Sequence, residues 1–88
     1  MIKGFYIGAD GVNHVITKIT DPSALEKGTK LLNNFEETFT FNDRVLDPAI
    51  IDERPTTVFK SVITRDRDGA TYFILDKHLM SWFWIIAD

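Results

Sequence analysis

The sequence predicts an α+β, β-rich domain: a small antiparallel sheet or barrel of five to seven strands with one short helix at about residues 22–34. Three observations carry this expectation. Runs rich in β-branched and aromatic residues recur along the chain, separated by turn formers; two of the separating turns contain Asp-Gly; and residues 35–41, FEETFTF, alternate with a period of two. At 88 residues the chain suits one domain, residues 1–88, with one core. Apolar residues make up 44% and charged residues 26%, an ordinary globular balance that excludes the low-hydrophobicity composition of disordered chains.

Ile2 to Ile7 and His14 to Thr20 flank GADGVN, whose Asp10-Gly11 pair suits a turn with positive φ, so a β-hairpin is expected first. In TDPSALEKGTKLLNNF, Asp21 is a good helix N-cap, Pro22 fits the first helical position and Gly28 reads as a stop, which gives a short helix. A longer helix through Gly28 would align Leu25, Leu32, Leu31 and Phe35, at a cost of about 1 kcal/mol for the internal glycine. Phe35, Glu37, Phe39 and Phe41 then share one face of a strand, with the three Phe directed inward and Glu37 at a rim open to water. NDRVLDPAIIDERP, with two prolines, reads as a crossing from one sheet edge to another, with a short helical turn after Asp47-Pro48. Thr56 to Arg65 and Ala70 to Asp76 bracket DRDG and give a second hairpin with Gly69 in a left-handed conformation. The turn DKHL leads to a last strand, Ser81 to Ala87.

That last strand is apolar on both faces, Trp82, Trp84 and Ile86 on one and Phe83, Ile85 and Ala87 on the other. It fits a central strand, a strand within a small barrel, or a strand whose outer face meets another subunit. Trp82, Trp84 and Ile86, with Tyr72, are therefore candidates for a partner or oligomer interface, the alternative being that both Trp are core residues of a tight monomer.

Several chemistries are excluded or weakly supported. With no Cys, disulfides, thiolate zinc sites and cysteine nucleophiles are absent, and a cytoplasmic location is expected. There is no signal-peptide run and no membrane-length apolar segment. A net charge of −3 without a basic block makes nucleic acid a poor partner, and the carboxylate excess is too small and interspersed for a DNA mimic. His14 and His78 lack metal-ligand spacing, DRDGA lacks the spacing of a calcium loop, and Ser23, Ser61 and Ser81 lack a nucleophile context, so neither metal nor cofactor is expected. Asp76 and His78 could form an acid–base pair if the segment were extended.

Arg44, Arg54, Arg65 and Arg67 could clamp an anion beside aromatic strands, although Asp43, Asp47, Glu53, Asp66 and Asp68 stand ready to neutralise them. The sequence thus points to a small non-enzymatic interaction protein, an inhibitor or accessory factor of the kind phages and plasmids encode, that binds a protein partner through an aromatic or β surface. The alternative is a homo-oligomer that sequesters a small anionic, nucleotide-like ligand.

Overall fold

The computed structural model describes residues 3–8 and 11–87. Seven strands, β1 (Lys3–Ile7), β2 (Asn13–Lys18), β3 (Lys30–Asn33), β4 (Thr38–Ile51), β5 (Arg54–Arg65), β6 (Thr71–Leu75) and β7 (Phe83–Ala87), form one sheet in the order β1-β2-β7-β3-β4-β5-β6. Every neighbouring pair is antiparallel, and the sheet is open, not closed into a barrel. The predicted β-rich class with one short helix is therefore correct, with the strand number at the top of its range.

Both Gly-containing turns make hairpins. β1 pairs with β2 across a turn in which Gly11 has φ 78°; Asp10, expected to share that turn, and Ile2, expected to open β1, lie outside the described residues. Between β5 and β6, Gly69 has φ 74° and its N–H donates to the Arg65 carbonyl, as a left-handed glycine at the end of the turn should.

The helix is elsewhere than expected. Asp21 does act as a cap, accepting from the Ser23 N–H at 3.1 Å, but it heads only a 3₁₀ turn, Pro22–Ala24. Past Gly28 (φ 92°) the chain becomes β3. Leu31 and Leu32 are both buried and, being adjacent in a strand, fill opposite faces; this period-two demand outweighs the helical stripe. Among the described residues the single α-helix, α1 (Asp76–Trp82), replaces the turn expected at DKHL. Three strands separate β6 from β7, and the alternation of directions makes the two run the same way, so their connection must cross a sheet face. α1 makes that crossing and places Leu79, which is fully buried, in the core.

The last strand consequently begins at Phe83, and Trp82 ends the helix instead of sharing a strand face with Trp84 and Ile86. β7 lies between β2 and β3; Phe83 and Ile85 face the core, while Trp84 and Ile86 on the other face are half-buried. Phe35 corrects the expectation of three inward Phe: it is 78% exposed, because the strand starts only at Thr38 after a turn containing Glu36 at φ 61°. Asn33 holds that turn, its Oδ1 accepting from the N–H groups of Phe35 (3.0 Å) and Glu37 (2.9 Å) and its Nδ2 donating to the Glu37 carboxylate. Residues 42–55 do not cross between sheet edges and hold no helical turn; they continue β4 and turn directly into β5.

Ile19, Leu31, Phe39, Phe41, Ile63, Leu79 and Phe83 form the core. Phe39 meets Phe83 and Tyr72 edge to face, at centroid distances of 5.2 and 5.9 Å. Replacing Leu79 by Ala is expected to destabilise the fold by about 2–5 kcal/mol, as for other buried leucines, read as a lower urea midpoint at unchanged slope.

Candidate functional site

β4 and β5 are much longer than their neighbours. β3 pairs with β4 only over residues 38–40, and β6 pairs with β5 only over residues 60–64. Six cross-strand pairs, from Leu46↔Phe59 to Ile51↔Arg54, therefore have no third strand on either side. They form a two-stranded arm about 20 Å long at roughly 3.3 Å per residue, and the molecule is elongated to 48 × 30 × 22 Å.

Local chemistry explains the arm. Residues 54–62, RPTTVFKSV, are rich in β-branched residues, and the tip is a two-residue turn, Asp52-Glu53, with φ 52° and 62°. Both angles are positive, as the twist of a tight hairpin requires, although neither residue is glycine. Pro48 and Pro55 fit because each strand has a free edge there, where a missing N–H breaks no ladder bond. A register shift between Phe41 and Asp43 leaves Asn42 as one extra residue, its amide donating to the Thr64 hydroxyl. This bulge reverses the alternation: Arg44, Leu46, Pro48 and Ile50 come onto the face that continues the core.

Directly opposite them on that face stand Ser61, Phe59, Thr57 and Pro55. Leu46 is 55%, Ile50 76% and Phe59 45% exposed, an apolar row on a ribbon in which Phe59 is partly covered by Arg44. The reverse face is mixed and carries a Lys60–Asp47 ion pair at 3.1 Å. At the root, Arg44 lies 3.8 Å above the Phe59 ring and donates to Asp76 at 2.6 Å. Beside it a groove of about 320 Å³ is lined by Ile51, Val58, Phe59, Leu75, Asp76 and Lys77.

The sequence-predicted interface residues are dispersed. Tyr72 packs against the core, Trp84 and Ile86 are half-buried in the central strand on the face opposite Phe83, and only Trp82 is substantially exposed. Trp82 stacks on His78, with centroids 4.4 Å apart and planes at 11°, and shares a recess with Phe35. Asp76 and His78 do not form the extended pair considered above: two residues apart on a helix they point to different sides, and Asp76 is engaged by Arg44.

The four arginines do not converge on one site. Arg54 stands exposed at the arm tip and Arg44 at its root. Arg65 and Arg67 come together around Glu37, at 3.4 and 3.3 Å, in a recess of about 350 Å³ that also involves Tyr6 and Phe35. Arg65 further grips Asp68 through Nε (3.0 Å) and Nη2 (2.6 Å). That hydrogen bonding raises the Arg65 pKa and, together with the Ala70 N–H, lowers Asp68 from 3.8 to about 2. Asp66, which partial burial acts to raise, is nonetheless held low by hydrogen bonds from Thr40 and Lys30. Among the described residues no cluster of His, Asp or Glu could hold a metal ion, and no helix is long and apolar enough to cross a membrane.

The arm was hidden at the sequence level because its prolines and acidic turn read as a loop. The available signal was the apolar spacing Leu46, Ile50 and Phe59 around a two-residue turn. No protein-family model, curated protein or solved structure matches the chain.

The Asp68 pairing has a pH signature. A carboxyl with a depressed folded-state pKa stabilises the fold above about pH 4, and this contribution is lost as the pH falls toward 2. Asp68→Asn is expected to flatten stability against pH in that window relative to the wild type, measured by urea denaturation at steps from pH 5 to 2.

Proposed function

We propose that this chain is a non-enzymatic interaction protein, an inhibitor or accessory factor, that acts by laying the apolar face of its β4–β5 arm on a protein surface. The observation that carries the reading is the projecting row of Leu46, Ile50 and Phe59, unpaired with any other strand and exposed to solvent. A two-stranded ribbon is at best marginally stable by itself in water, and clustered exposed apolar residues mark association sites. A protein surface stabilises the arm and hides its apolar side chains in one event. Two charged pairs near the arm are compensated, Arg44–Asp76 at the root and Lys60–Asp47 on the reverse face, while Asp52, Glu53 and Arg54 keep the tip charged.

Leu46→Ser/Ile50→Ser protein is expected to keep the wild-type circular dichroism and lose recovery of a bound protein by about tenfold or more in affinity capture from the native host. Equal recovery by both proteins would show that the arm is not the binding surface.

A second reading, sequestration of a small anion, draws on the convergence of Arg65, Arg67 and Tyr6 on one recess. Glu37 already accepts from both guanidinium groups, so an anion has to displace that carboxylate. On this reading Glu37→Gln strengthens, and Arg67→Ala weakens, the binding of a nucleoside diphosphate in calorimetric titration; absence of heat with the wild type and with Glu37→Gln eliminates it.

A further inference from the structure

We propose that the outer edge of β6 is a docking site for an extended segment of a partner protein, which adds to the sheet as a further strand. This surface is separate from the apolar face of the arm, and the two bind independently.

The hydrogen-bond pattern of the β5–β6 hairpin shows which groups the edge offers. The Arg65 N–H donates to the Ala70 carbonyl at 2.8 Å. Bonded pairs in an antiparallel ladder recur at every second residue, so Ile63 bonds Tyr72 and Ser61 bonds Ile74. The residues between them turn their main-chain groups the other way. Thr71 and Phe73 present N–H and C=O, and Leu75 its N–H, to a side on which no strand lies among the described residues. The group that matches such a row is another extended backbone, which offers carbonyls and N–H groups at the same repeat.

This edge also lacks the features that block strand addition. The free edges of the arm carry Pro48 and Pro55, and the other outermost strand, β1, reads KGFYI, with a lysine and a glycine. β6 reads TYFIL, with no proline, glycine or charge, and its ladder with β5 has no register shift.

Apolar side chains flank the edge on both faces. Phe73 is 58% exposed on one; on the other, Tyr72 and Ile74 pack against the core and are half-buried. Leu75 shares the face of Phe73, and where β6 ends it lines a groove of about 320 Å³ together with Val58 and Ile51. A segment laid along β6 covers Phe73 and sets one apolar side chain, beside Leu75, into that groove. Main-chain bonds hold the segment and the groove fixes its register. The edge is five residues long, about 17 Å, which is the span of one short peptide. A strip of that length falls far short of the roughly 800 Å² per partner that joins two folded copies.

The test is selection of displayed random heptapeptides on the immobilised full chain, followed by titration of each selected peptide and amide hydrogen exchange of its complex. The peptides are expected to slow exchange at Thr71, Phe73 and Leu75, while Tyr72 and Ile74, already bonded to β5, change little. Phe73→Pro removes one outward donor and leaves the β5–β6 ladder whole, so it is expected to weaken these peptides about tenfold with unchanged circular dichroism. Phe73→Val keeps the N–H and is expected to weaken them less. If Phe73→Pro does not fold, Thr71→Pro removes the neighbouring outward donor in its place. The Leu46→Ser/Ile50→Ser protein is expected to bind the peptides as the wild type does, which separates this site from the arm. No enrichment, a footprint away from β6, or equal losses in the proline and valine variants overturns the added strand. Slow exchange at the same three amides that sets in with rising protein concentration, without peptide, also overturns it by giving the edge to a second copy.

Discussion

The insertion of β7 between β2 and β3 is the constraint on which the rest of the sheet depends. Among the described residues, the N-terminal hairpin β1–β2 is joined by strand pairing to the remainder of the sheet through β7, which pairs with β2 on one side and with β3 on the other. The last strand is therefore the join between two parts of the sheet. Phe83 is fixed on one face of β7 by the edge-to-face contact with Phe39, and Leu79 reaches the same core from the helix that delivers the strand. Helix, strand and core are one device: the crossing over the sheet face also supplies the side chain that fills it.

Because α1 covers only part of that face, the two ends of the sheet are left apolar and open. Phe5 and Ile7 are exposed on β1, and Leu46, Ile50 and Phe59 on the arm. The arm differs in reaching beyond the sheet, with both edges free and both carrying proline. Proline on both edges disfavours indiscriminate strand addition to such a ribbon. Its root is tied to the body by Arg44, which bridges the Phe59 ring and the first residue of α1. The same helix thus anchors β7 to the core and the arm to the body.

At the other end of β5, charge does the corresponding work. Arg65 joins Asp68 in its own turn to Glu37 in the turn between β3 and β4, while Asp66 joins Thr40 and Lys30. Two turns distant in sequence are held side by side, and Asn33 completes the arrangement by fixing the backbone on which Glu37 stands. The basic residues near this turn thereby serve the connection between elements.

What the sequence by itself determined was local. Gly11 and Gly69 mark turns because positive φ is cheap only for glycine; Phe39 and Phe41 mark an inward strand face by their spacing; Asp21 caps whatever turn follows it. Each of these depends on atoms a few residues apart. Tertiary structure decided the rest. Pro48 and Pro55 break a strand only where a third strand must pair, and a free edge removes that requirement. Residues 22–34 and 76–82 both have helical character, and the choice between them followed from which segment fills a gap in the sheet and which crosses its face. The aromatic C-terminal run pairs with neighbours from distant parts of the chain, β2 and β3, and no spacing within ten residues specifies who those neighbours are.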